Sequence, residues 1–221
     1  VVQSEDGWVH VLADTGSTLN SHWPRESGDA WGIAQVYSTP AIADLDGDGD
    51  NDVLAVKEDG CNAWDAATGS DIQGWPVVLG TEAHGHYPSH TSPVIGDPDN
   101  DGHPEVVVCR CLVDGNPSQH TVFLYQHTGG EETWSVNLNF PGGESVASTP
   151  AFCDVSSNHT GMEILVCTSG DFGYPYPSYD QKGFDSGIYL LDPTDGDVLW
   201  STYVTGYMFA SPVVADVDDD G

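Results

Sequence analysis

The chain has 221 residues, 38% of them hydrophobic and 10% aromatic, enough for a packed core and against wholesale disorder. Thirty-five Asp and Glu stand against four Lys and Arg, a formal charge of −31. That balance excludes a nucleic-acid partner and disfavours anionic lipid surfaces, since both need clustered cations, and no apolar run is long enough for a membrane-spanning helix.

In chain order, Val1-Val2 reads as a strand, so the chain opens inside an element, as a processed product or a fragment does. Asp6-Gly7-Trp8 marks a turn into another strand, and Thr15-Gly16 leads on to Trp23. A longer motif then begins at Ser38: STPAIADLDGDGDND. It returns at Thr91 as TSPVIGDPDNDGHPE, at Ser148 as STPAFCDVSSNHTGME and at Ala210 as ASPVVADVDDDG. Each copy has a small residue, Pro, a short apolar run and an acidic loop. The first loop aspartates, Asp44, Asp97, Asp154 and Asp216, are 53, 57 and 62 residues apart.

The segments after the loops repeat as well. β-Branched runs at 53–56, 106–109 and 164–167 read as inner strands. Turns at Asp59-Gly60 and Ser186-Gly187 start a further strand. A last turn then closes on Trp: Thr68-Gly69 to Trp75, Gly129-Gly130 to Trp134, and Asp195-Gly196 to Trp200. That gives about four short strands per repeat, with no helical periodicity. A period of about 40–60 residues with four strands is the signature of β-propeller blades. The expected fold is all-β, a β-propeller of about four four-stranded blades. The boundaries are a partial blade 1–37, blades 38–90, 91–147 and 148–209, and a partial blade 210–221. Either one blade is split between the termini, or the chain is a segment of a larger propeller.

The first two acidic loops read D-x-D-x-D-G-x-x-[DE]. In the first, Asp44, Asp46 and Asp48 can turn three carboxylates toward one ion; Gly49 permits the turn, Asp50 offers its carbonyl and Asp52 closes the cage. Asp97, Asp99, Asp101, His103 and Glu105 repeat the pattern. Several flexible oxygen ligands favour Ca²⁺ over Mg²⁺, which gives up its waters reluctantly. The third loop is one residue longer and poorer in charge; Asp154, Ser156, Asn158 and Glu163 are its candidate ligands. The fourth has Asp216, Asp218 and Asp220, and needs another segment to supply a closing acid. The four loops hold 15 of the 35 acids, so the acidity is global as well as local and suits an extracellular or salty setting.

The pattern S-x-P-x-[IV]-x-D-x-D-x-D-G-x-x-[DE]-[VI] resembles the FG-GAP/VCBS repeat of integrin α-subunit propellers and many secreted microbial proteins. The hairpins from Asp65 to Trp75 and from Asp192 to Trp200 also resemble PQQ-like, quinoprotein-type blades. The resemblance implies calcium in the loop between the first two strands of a blade, rigidifying the propeller.

Other constellations compete with plainer readings. His84, His86 and His90 lie in a connection between blades and can serve as a Zn²⁺ site, or as the base of a lyase, since some polysaccharide lyases are propellers with His/Tyr sites. The plain alternative is a polar surface loop. Tyr174, Tyr176 and Tyr179 sit in an insertion suited to stacking on sugars or to covering an apolar edge. The repeated Trp residues read as packing between blades, with Trp8 and Trp64 facing neighbouring blades. Cys153 and Cys167 lie on adjacent strands, either bridged or as buried thiols, and one of the five cysteines must stay unpaired within the chain.

These features point to a secreted or surface calcium-binding module with a structural or adhesive role and a protein or glycan ligand, not an enzyme. The competing readings are a polysaccharide lyase using the His84–His90 loop, a quinoprotein relative, and a matrix or filament subunit that self-associates head to tail by strand exchange.

Overall fold

The computed structural model describes residues 1–4, 7–27, 38–57, 60–79, 91–110, 121–138, 146, 148–156, 160–169, 185–206, 208 and 210–215. All its regular elements are strands. β1 (Val2–Gln3), β2 (Trp8–His10) and β3 (Arg25–Glu26) form a three-stranded sheet in that order. Three four-stranded sheets follow, each an antiparallel meander in chain order. The first holds β4 (Ala41–Ala43), β5 (Asp52–Lys57), β6 (Gly60–Asp65) and β7 (Val77–Val78). The second holds β8 (Val94–Gly96), β9 (Glu105–Arg110), β10 (Thr121–Gln126) and β11 (Trp134–Asn137). The third holds β12 (Ala151–Cys153), β13 (Glu163–Cys167), β14 (Asp185–Leu191) and β15 (Val198–Thr205). Four strands per repeat, in meander order, is the blade arrangement expected from the period.

The sheets stack face to face, which explains the unbroken apolar runs: a strand covered on both faces has no polar side to show. Val53, Ala55 and Trp64 face Val9, Val11 and Trp23 of the first sheet. From the other side of the same strands, Leu54, Val56 and Ala63 face Val106, Val108 and Tyr125. Val107, Cys109 and Leu124 in turn face Ile164, Val166 and Leu191. The first strand of each four-stranded sheet begins just after a Pro, where a missing N–H costs the ladder nothing. Its register is the same in every blade, with Ala41 opposite Leu54, Val94 opposite Val107 and Ala151 opposite Leu165.

Two polar contacts recur along the stack of sheets. Just before the first strands, the Thr39 N–H donates to Ser92 Oγ (2.8 Å), the Ser92 N–H to Thr149 Oγ1 (3.0 Å) and the Thr149 N–H to Ser211 Oγ (3.2 Å). At the outer rim, an indole Nε1–H reaches the turn of the next sheet: Trp23 to the Ala66 carbonyl (2.8 Å), Trp75 to that of His127 (3.1 Å) and Trp134 to that of Pro193 (2.7 Å). These three Trp are 4%, 5% and 8% exposed, as expected of packing between blades, whereas Trp200 is 43% exposed. Trp64 meets Trp23 edge to face at 6.1 Å, while Trp8 stays exposed. Cys61, Cys109, Cys153 and Cys167 are buried reduced thiols, so the Cys153–Cys167 bridge is not made. Cys153 stands opposite Glu163, four residues from Cys167 along β13.

Candidate metal centre

The first acidic loop joins β4 to β5 and is built around Asp44. Its carboxylate accepts the N–H groups of Gly47 (2.8 Å), Asp48 (3.1 Å) and Gly49 (3.0 Å), which fixes its position at the mouth of the loop. Asp46 accepts the Asp48 N–H (3.2 Å) and Asp48 accepts that of Asp50 (2.8 Å). Carboxylate oxygens of Asp44, Asp46 and Asp48 lie within 4.8 Å of one another. Three like charges at that range repel strongly, so the arrangement suits a cation.

Behind them, Asp52 opens β5 fully buried. One oxygen accepts the Leu45 N–H (2.7 Å), and Oδ1 has no hydrogen-bond partner. Burial pushes its pKa up to about 6, with the nearby charges of Asp46 and Asp65 adding to the rise against the Leu45 N–H.

The second loop, between β8 and β9, repeats this geometry. Asp97 accepts the N–H groups of Asp101 (3.0 Å) and Gly102 (3.0 Å), Asp99 that of Asp101 (3.2 Å), and Asp101 that of His103 (2.8 Å). Asp97, Asp99 and Asp101 also converge within 4.8 Å. The fourth position is left-handed in both loops, at φ 75° for Gly47 and 58° for Asn100. The motif reading assigned a turn role only to the sixth position; Gly or Asn at the fourth is the signal that marks this one. The His103 ring stacks on His127, centroids 4.5 Å apart, which leaves the His103 carbonyl as its offer to an ion.

Glu105 is the strongest observation. It is buried at the start of β9, and neither carboxylate oxygen has a hydrogen-bond partner. Burial raises its pKa to about 7, with the charges of Asp99, Asp101 and Asp97 behind it. A buried acid without partners is costly, and in native folds it calls for a missing ion or water. Hard carboxylate oxygens in this number fit Ca²⁺.

Sequence reasoning missed Asp65, at the end of β6. It stands opposite Asp52 and brings an oxygen within 4.8 Å of Asp48 and Asp50. Hydrogen bonds from Thr68 hold its pKa below the usual carboxylate range. The pairing of the two strands, not the loop motif, delivers it.

In the third loop, the Val155 N–H donates to Glu163 Oε2 (3.0 Å), the counterpart of the Leu45–Asp52 bond. The loop leans on its neighbour, with the Met162 N–H donating to the Pro98 carbonyl (3.2 Å). A side chain at Gly161 would collide with that carbonyl. Among the described residues Asp154 is exposed and joins no acidic cluster, and Ser156 is half-buried. Asn158, Asp216, Asp218 and Asp220 lie outside the described residues, as do His84, His86, His90, Tyr174, Tyr176 and Tyr179.

No curated protein matches the sequence. Among solved structures, a europium-containing methanol dehydrogenase aligns at TM-score 0.45 and 12% identity, over 74% of this chain and 24% of that one. The V. cholerae biofilm matrix protein Bap1 aligns at TM-score 0.41 and 18% identity, over 91% of this chain and 34% of that one. The computationally designed Ika8 protein aligns at TM-score 0.40 and 14% identity, over 94% and 59%. The chain thus spans less than two thirds of each of these proteins. The FG-GAP-like repeat family matches residues 44–108, from the first aspartate of the first loop to the strand after the second. With both acidic loops inside that match, the chain carries an FG-GAP-like repeat on stacked, blade-like sheets.

Proposed function

We propose that the loops at 44–52 and 97–105 each bind one calcium ion, and that the chain is a calcium-stiffened structural or adhesive module of an extracellular or surface protein. The observation that carries this reading is Glu105, buried without a hydrogen-bond partner behind Asp97, Asp99 and Asp101. The FG-GAP-like match over both loops supports it, and so does a net charge of −31, which suits a calcium-rich medium. Each ion would tie the first strand of a blade to the second and offset repulsion that the fold itself creates. The ligand of the module would be a protein or a glycan, met by the exposed rim, with the chain's role being support and not catalysis.

The test is calcium binding by calorimetry on the full chain, with melting followed in calcium and in EGTA. Saturable binding that loses one ion in Asp46→Ala and another in Asp99→Ala supports the assignment. Unchanged stoichiometry in either variant refutes it.

A further inference from the structure

The three described loops differ in the residue after their first aspartate, and that residue decides what the buried acid behind the loop can do. We infer that Pro98, having no backbone N–H, leaves both oxygens of Glu105 to the ion and so makes the second loop selective for calcium over magnesium. The inference rests on the calcium reading of that loop and adds a residue that no ligand motif contains.

In the first loop this residue is Leu45, whose N–H donates to Asp52 Oδ2 (2.7 Å). In the third it is Val155, whose N–H donates to Glu163 Oε2 (3.0 Å). The bond is the same in both, and it ties one oxygen of the acid that opens the next strand to the backbone. In the second loop the place is taken by Pro98. Proline carries no N–H, so the bond cannot form.

Glu105 is the counterpart of those two acids. It pairs with Gly96 as Asp52 pairs with Ala43 and Glu163 with Cys153. It is 2% exposed, and neither oxygen has a hydrogen-bond partner. The N–H groups of Asp101, Gly102 and His103 do not replace the missing donor, because Asp97, Asp99 and Asp101 accept them. Those three carboxylates converge within 4.8 Å beside it.

Pro98 is held in place by the neighbouring blade. It is buried, and its carbonyl accepts the Met162 N–H (3.2 Å) of the third loop. That contact uses the carbonyl alone, so it survives replacement of the ring by another side chain.

A carboxylate that gives one oxygen to a backbone N–H is turned toward the chain and offers an ion chiefly the other. Glu105 is free of that constraint. Ca²⁺ accepts about six to eight oxygens and takes carboxylates by one atom or by both, whereas Mg²⁺ demands near-octahedral order at shorter distances. The second oxygen of Glu105 is therefore a ligand that calcium gains and magnesium does not.

The test is calorimetric titration of the full chain carrying Asp46→Ala, with Ca²⁺ and separately with Mg²⁺, so that the second loop is read without the first. Pro98→Ala restores an N–H opposite Glu105. It should weaken calcium about tenfold and magnesium by less than about twofold, which narrows the preference. Losing the proline also loosens the loop, and a looser loop weakens both ions. Glu105→Gln separates the causes: added to that variant, Pro98→Ala should cost no further calcium affinity, because no carboxylate remains for the new N–H to hold. Equal loss for both ions, equal loss with and without Glu105→Gln, or unchanged calcium affinity overturns the inference. A second readout leaves Pro98 in place. Calcium added to the Asp46→Ala chain should bring up the infrared carboxylate stretch of two-oxygen binding, and Glu105→Gln should remove it; its absence before that substitution also overturns the inference. If the Asp46→Ala chain binds no calcium at all, the calcium reading of the loop falls and this inference with it.

Discussion

The second and third acidic loops share a frame and differ in charge. In both, a buried Glu opens the strand after the loop, Glu105 on β9 and Glu163 on β13. Glu163 uses its carboxylate to hold the Val155 N–H, whereas both oxygens of Glu105 lack a hydrogen-bond partner and face three converging aspartates. The comparison separates two jobs that one motif position can do. One acid holds the loop's backbone; the other is placed where it could meet a cation. The first loop combines the two, since Asp52 gives one oxygen to Leu45 as Glu163 gives one to Val155, and it stands behind the converging Asp44, Asp46 and Asp48.

Removing calcium should give the largest effect. If each ion is present at about 100 times its Kd, each site contributes about 2.7 kcal/mol. Melting in EGTA should therefore fall by ten degrees or more, and an unchanged melt would erase the distinction between the two loops. Asp99→Ala should abolish about half of that calcium-dependent gain, read from the same pair of melts.

Next comes the buried acid itself. Glu105→Gln should weaken the calcium response but leave the EGTA melt unchanged or raised, because it removes an uncompensated charge. Glu163→Gln should cost about 1–2 kcal/mol with or without calcium, because its hydrogen bond to Val155 is disturbed. Equal calcium dependence in the two variants would break the comparison.

A smaller effect arises from protonation. Burial raises Asp52 to about 6 and Glu105 to about 7, above the values of about 4 for unfolded carboxyls. A raised pKa means the fold favours the protonated form. The associated stability is complete below about pH 4 and is lost as the pH rises through 6 and 7. In EGTA the protein should melt higher at pH 5 than at pH 7.5, and Glu105→Gln should flatten part of that slope. The smallest effect is expected at Asp154: its Ala variant should leave calcium stoichiometry unchanged, and loss of an ion would place the third loop with the second.

Much of this was legible in the residues. A Ser/Thr-Pro pair, an apolar run, an Asp loop and a Trp after a turn are local signals. They located the strands and the two full loops because strand alternation, turn chemistry and ligand spacing act within a few residues. The left-handed fourth position of the loop was equally local but went unread, since Gly47 and Asn100 look like different residues until their shared φ is known.

What the sequence determined by itself was the repeat, its four-strand content and which loops carry enough carboxylates to attract an ion. The tertiary structure decided which side chains end up covered and which charges are stranded. Asp65 reaches the first loop only through its pairing with Asp52, and Glu105 loses its water only because neighbouring strands close over it. Trp134 and Trp200 come after similar turns, yet one is buried and donates to Pro193 while the other is exposed. Burial depends on neighbours tens of residues away, and no local pattern contains that information.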